Sequence, residues 1–315
     1  MTHLLKTAAA AAMLALLAAC QPAKVEAPAP VIPAGQAATP PAIHYGDNAA
    51  AGGTFEHDGA KLYYETYGAG EPLLLIHGNG GSIGGFSAQI EHFKAHYKVI
   101  AMDSREQGKS TGSDAPITYE QMTDDLDALL DHLKTGPVDV VGWSDGGIEA
   151  LLLGIRHPDK VKKLVAMAAN LNPSPKAVQP AILDVVKEAA KEFPPGFADT
   201  PDGKKQMKLI NLLLKQPNIP PADLGKITAP TLILAGDHDL IRTEHTVEIF
   251  NSLPNGELGI FPNSTHAAPY NNADLFNATI ERFLKETYKP IDLVPDTMGA
   301  LGEMEAKLKA QRAGK

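Results

Sequence analysis

Gly142-Trp143-Ser144-Asp145-Gly146 lies between a short apolar run, residues 138–141, and a helical pattern over residues 148–157. A strand that turns directly into a helix at G-x-S-x-G leaves the chain little choice. The turn is sharp, and the serine Oγ is thrust out at the carboxyl end of the sheet. Gly142 and Gly146 are required because a Cβ at either point meets the passing backbone. The residue after the serine falls at a helix N-terminus, where its unpaired N–H is free to face a developing oxyanion. The competing reading is an ordinary βα turn with Ser144 as helix cap.

Around this turn the pattern alternates. Residues 54–56 and 61–67 read as a hairpin about Asp58-Gly59. A continuous apolar run at 73–76 and apolar segments at 99–102 and 138–141, with further strands at 163–168, 231–235 and 258–261, suit a buried parallel sheet. Helical periodicity is expected at 85–95, 119–133 and 273–287. Strands alternating with helices imply an α/β domain with a doubly wound, mostly parallel sheet. From 171 to 226 the strands stop and helices broken by prolines take over. That stretch is expected to form a small cap over the carboxyl edge, where open α/β sheets bind ligands.

A serine hydroxyl is a weak nucleophile and needs a base and an orienting acid. His266 follows the last expected strand, in Pro262-Asn263-Ser264-Thr265-His266, and would return to the edge beside Ser144. His92, His96 and His132 fall on expected helices facing solvent, His57 in the hairpin and His245 at a helix start. Two acids follow the 231–235 strand, Asp237 and Asp239, and the residues alone leave both open.

The chain over about 53–288 resembles the α/β-hydrolase superfamily, on the elbow, on His77-Gly78-Asn79-Gly80-Gly81 and on the loop 103–110. The resemblance implies the α/β-hydrolase fold and the order serine, acid, histidine. It places the acid three residues past the glycine that ends the strand, at Asp239, and leaves Asp237 a loop-stabilising role. It implies an oxyanion hole from the backbone N–H groups of Asn79 and Asp145, and a structural His77. Arg105 lies in a loop similar to the family's D-x-R-G-x-G-x-S turn. There Glu106 and Gln107 depart from the pattern, and Glu106 is a candidate pocket residue. Gly142 to Gly147 with Ala168-Ala169-Asn170 is similar to the valacyclovir hydrolase (biphenyl hydrolase-like) group, which points to amino acid esters. Asp145, next to the nucleophile, would then offer its carboxylate to a substrate ammonium. Alternatively it stabilises its own helix N-terminus. The expected activity is hydrolysis of small carboxylic esters through an acyl-enzyme, without cofactor or metal. Lactone, amide or C–C bond hydrolysis on the same triad, or a binding protein that retains the fold without turnover, are the alternatives.

At the amino end, Lys6 and the apolar run 8–19 read as an export signal, too short for a stable membrane span. The run closes on Leu17-Ala18-Ala19-Cys20, which resembles a bacterial lipobox and implies acylation of Cys20, the single cysteine of the chain. Gln21 rather than Asp follows it, so the implied anchor is the outer membrane, facing the periplasm. Residues 20–53, rich in Pro and Ala, read as a disordered tether. The hydrolase domain is expected over 54–289 and a loose tail over 290–315, with a weak apolar stripe at Leu301, Met304 and Leu308.

Charge excludes one class of partner. The chain has 28 basic and 37 acidic residues. Without residues 1–19, which hold one Lys and no acid, the formal charge is −10, which argues against nucleic acid. Gly108-Lys109-Ser110 ends like a P-loop, but Asp103 stands where its first Gly is needed. In the glycine run 78–85, Ile83 stands where the dinucleotide fingerprint needs its third Gly.

Overall fold

The computed structural model describes residues 43–313. The expected signal peptide, Cys20 and most of the tether lie outside the described residues. Eight strands form one sheet: β1 (Gly52–His57), β2 (Ala60–Tyr67), β3 (Glu71–Ile76), β4 (Tyr97–Met102), β5 (Val138–Trp143), β6 (Val161–Met167), β7 (Thr231–His238) and β8 (Gly256–Thr265). Their order is β1-β2-β4-β3-β5-β6-β7-β8. The β1–β2 hairpin joins β4 antiparallel, and every later pairing is parallel. The apolar runs of β3 and β5 are buried on both faces, as strands sandwiched between helical layers must be.

The helices follow in chain order: α1 (Ser87–Phe93), α2 (Tyr119–His132), α3 (Asp145–Arg156), α4 (Pro180–Ala189), α5 (Pro201–Lys215), α6 (Thr243–Asn251), α7 (Ala268–Asn271), α8 (Ala273–Lys285) and α9 (Leu293–Ala313). A 3₁₀ turn (Ile83–Phe86) precedes α1. Thr118 caps α2 by accepting from the Gln121 amide. The apolar stripe of α2, Met122, Leu126, Leu129 and Leu130, is buried against α3 and the sheet. The 171–226 interruption holds α4 and α5, each with Pro in its first turn, where a missing N–H costs nothing.

Two boundaries differ from those the sequence suggests. The Pro/Ala-rich stretch does not run to residue 53. The Gly46 and Asn48 amides donate to the Glu65 carboxyl at 2.7 and 2.8 Å, and the Tyr45 ring packs edge-on against Tyr67. The Tyr63 and Tyr67 hydroxyls complete four donors on that one buried side chain. Gly52 and Gly53 already belong to β1. The other difference is at the last two strands, which run past the apolar core because their ends carry the polar loop that holds the site. Asp237 accepts from the Asn263 and Ser264 amides at 2.8 and 2.9 Å, and His238 pairs with Thr265 across the ladder.

Residues 285–315 separate from the main unit. Within them α9 exposes Leu293, Val294, Met298, Leu301, Met304 and Leu308. Among the described residues no helix is long and apolar enough to cross a membrane.

Candidate active site

The turn after β5 is the elbow that the sequence demands. Ser144 sits at φ 59°, ψ −118°, a conformation rare for a residue with a Cβ and held here by its surroundings. Its amide donates to the Met167 carbonyl at 2.9 Å, and its carbonyl accepts from Ile148 as α3 begins. A Cβ on Gly142 would lie 1.9 Å from the Gly146 carbonyl oxygen, and one on Gly146 would lie 2.0 Å from that of Ile76. Only glycine at both positions lets α3 rise so steeply off the strand.

Ser144 is partly open to solvent. Its Oγ lies 2.9 Å from His266 Nε2, and His266 Nδ1 lies 2.7 Å from Asp239 Oδ1. Asp239 also accepts from the Ile241 and Gly236 amides at 3.1 and 3.2 Å. Burial alone would raise its carboxyl, but His266 and these two amides outweigh that and hold it below the usual carboxylate range. An ionised Asp239 accepts from Nδ1–H, which leaves Nε2 as the acceptor for the serine proton. Asp237, held low at about 2 by His238 and the Ser264 and Asn263 amides, faces the β8 loop and does not meet His266. Of the two acids that follow β7, geometry therefore selects Asp239.

The loop after β3 passes over the serine. A Cβ on Gly78 would approach Ser144 Cβ to 3.0 Å. Buried His77 braces the loop, donating from Nδ1 to the Gly78 carbonyl and accepting at Nε2 from the Ser104 amide. Burial holds its pKa below the ordinary histidine value. Gln107, one of the two departures from the family's turn, accepts from the Gly80 amide at 2.6 Å. Asp145 is the first residue of α3, so its N–H has no intrahelical partner. The loop that carries Asn79 and the first residue of α3, Asp145, thus lie on either side of Ser144 in the chain's path.

The side chains of the remaining candidates are engaged. Asp145 is 2% exposed, and its Oδ2 accepts from Asn79 Nδ2 at 2.8 Å. Burial pushes its carboxyl up to about 6, against the lowering influence of Asn79, Tyr119 and His266. One turn further along α3, Glu149 is fully buried, and neither of its oxygens has a hydrogen-bond partner. Burial, with the nearby Asp145 and Asp125, raises its carboxyl well above the usual range. Glu106, whose backbone is left-handed (φ 64°), pairs with Lys208 of α5 at 2.5 Å and lines a second cavity with residues of the cap. Arg105 is buried in a two-bond pair with Asp125 and serves the turn, as expected.

Sequence reasoning misses Trp143, whose indole donates to the His266 carbonyl, and the pair Tyr119 and Glu149 near Asp145. Their apolar or helical contexts carry no chemical signal. A cavity of about 600 Å³ opens beside the loop after β3, lined among others by Gly80, Gly81, Gln107 and Lys109 and by Lys205 and Leu209 of α5. The triad itself is not part of its wall. Among the described residues no three His, Cys, Asp or Glu side chains converge as a metal site.

A mostly parallel sheet with an elbow serine, an acid and a histidine gathered at its carboxyl edge defines a hydrolase of the α/β class. Comparison with known proteins agrees. Residues 71–207 match the family model described as alpha/beta hydrolase fold. Serine hydrolase BPHL of Homo sapiens is 30% identical over 249 residues, covering 72% of this chain and 84% of that protein. A putative carbamate hydrolase, RutD of Variovorax paradoxus, is 29% identical over 262 residues, covering 73% and 98%. Among solved structures, the enol-lactonase from Burkholderia xenovorans superposes with a TM-score of 0.64 at 21% identity, covering 74% of this chain and all of that one. A bromoperoxidase from Bacillus anthracis gives 0.63 at 26%, covering 72% and 96%. The chain belongs to the α/β-hydrolase superfamily.

Proposed function

We propose that this protein is a serine hydrolase that cleaves small carboxylic esters through an acyl-enzyme. The observation that carries the reading is His266, bonded to Ser144 on one ring nitrogen and to Asp239 on the other. Ser144 Oγ attacks the ester carbonyl as His266 Nε2 takes its proton. Negative charge gathers on the carbonyl oxygen between the Asn79 and Asp145 amides. His266 then returns the proton to the leaving alcohol, and water repeats the sequence on the acyl-enzyme. Labelling by a fluorophosphonate probe, absent in Ser144→Ala, tests this. An unlabelled wild-type protein would instead favour a binding protein.

The finer reading is an ester of an α-amino acid, as the similarity to serine hydrolase BPHL and the valacyclovir hydrolase-like motif suggest. A substrate ammonium would compensate the Asp145 carboxylate, which burial makes reluctant to ionise. The measurement is the kcat/KM ratio of an amino ester to its des-amino analogue, in wild type and in Asp145→Asn. A ratio unchanged by the substitution rejects this reading.

We further propose that Cys20 carries a lipid anchor in the outer membrane, with the enzyme facing the periplasm. Radiolabelled palmitate should enter the wild-type chain and not Cys20→Ala. Equal labelling of the two would exclude it.

A further inference from the structure

We propose that the Asn79 and Asp145 side chains form a clamp that fixes the spacing of the two oxyanion donors, so that Asn79 acts through its carboxamide as a positioning residue as well as through its backbone. The inference rests on the serine hydrolase reading above.

The loop that carries Asn79 is Gly78-Asn79-Gly80-Gly81. Three glycines in four residues leave the backbone more conformational freedom than almost any other composition. An oxyanion hole works only when its donors are held before charge develops. Something must therefore order this loop, and the bonds around it show what does. On one side the Gly80 amide is tied to Gln107. On the other, Asn79 Nδ2 reaches Asp145 Oδ2 at 2.8 Å, with the Leu209 carbonyl of α5 as a weaker partner at 3.4 Å. The two residues whose main chains flank Ser144 are thereby joined to each other through their side chains.

The identities of the pair fit this role. A carboxylate one residue from the nucleophile opposes the negative charge of the tetrahedral intermediate unless its own charge is compensated. Asn79 supplies a donor at the near side. The other groups facing Asp145 are Tyr119 at the start of α2, Glu149 on α3, and His266. None of these spans to the oxyanion loop. Asn79 Oδ1 is left buried without a partner, which marks Nδ2 as the end of the carboxamide that holds the side chain in place.

The test is a double-mutant cycle on the full chain in detergent, with Asn79→Ala, Asp145→Ala and the double variant. It reads the rate of phosphonylation by the fluorophosphonate probe, whose adduct places an oxygen in the hole, together with kcat and KM on a neutral ester. Asn79→Ala should slow phosphonylation and kcat by about 10- to 100-fold, with KM changed less than about threefold. The double variant should be no slower than the worse single one, because either change already opens the clamp. Multiplicative losses, or Asn79→Ala within about twofold of wild type, would overturn the clamp while leaving the serine hydrolase reading intact. A wild type that the probe does not label would defeat both. Thermal unfolding is followed in parallel, and if Asn79→Ala does not fold, Asn79→Ser decides by the same criteria.

Discussion

Trp143 Nε1 donates to the backbone carbonyl of His266 at 2.8 Å, so the residue before the nucleophile holds the main chain of the base. The indole also lies against the imidazole, with ring centroids 5.7 Å apart. Elbow and base loop come from strands far apart in sequence, and this bond ties them directly. Trp143→Phe keeps an aromatic ring and removes the donor. We expect kcat to fall by about 5- to 10-fold, the equivalent of one neutral hydrogen bond, with the fold retained. Unchanged kcat on a neutral ester would show that the β8 loop holds His266 without help.

Ser144→Ala should abolish ester hydrolysis. Members of a triad act as a unit, and what remains is on the order of 10³ over the uncatalysed rate. Activity within about tenfold of wild type, measured as kcat/KM, would remove Ser144 from the nucleophile role.

The two aspartates after β7 should separate cleanly. Asp239→Asn leaves His266 in the wrong tautomer, and kcat should drop by roughly 10³- to 10⁴-fold. Asp237→Asn touches only the Asn263–Ser264 backbone and the neighbouring His238, and its kcat should remain within about tenfold of wild type. The reverse ranking in steady-state kinetics would move the acid to Asp237.

Asp145 should make stability depend on pH. Its folded pKa is raised to about 6 from the ordinary 3.8. Between those values the folded state binds the extra proton, so the contribution is fully present below about pH 4 and is lost as pH rises through about 6. Relative to Asp145→Asn, the wild type should lose on the order of 2–3 kcal/mol across that window. Urea unfolding of both proteins at about pH 4.5 and about pH 7 measures the difference. Parallel pH profiles would mean that Asp145 keeps an ordinary carboxylate pKa in the folded protein.

Glu106→Gln should leave the amino to des-amino ester ratio untouched, since its partner is Lys208 and not the nucleophile's surroundings. The expected cost is about 1 kcal/mol of stability, the ordinary worth of a partly exposed ion pair. A shifted ratio would return Glu106 to substrate recognition.

What could be read from the sequence was whatever rests on local pattern. Apolar runs such as Leu73–Ile76 are buried strands because four apolar residues in a row can be covered only between two layers. The elbow was legible because its glycines meet backbone a few residues away. The partner of Glu106 is not legible, because Lys208 arrives from the cap, 102 residues on. The choice of Asp239 over Asp237 came from resemblance, since two carboxylates two residues apart on one loop look alike until β8 is laid beside them. The start of the domain is hard to read in the sequence for a similar reason. Backbone amides hold it to Glu65, and an amide carries no side-chain signature.

The four donors on Glu65 set a practical limit on where the chain can be cut. A soluble form begun at residue 54, the boundary that composition alone would choose, discards the Gly46 and Asn48 amides and the first two residues of the edge strand. It leaves a buried carboxyl with half its partners. A form begun at residue 43 or before retains the whole seal, and it is the one in which hydrolysis by the untethered domain should first be sought.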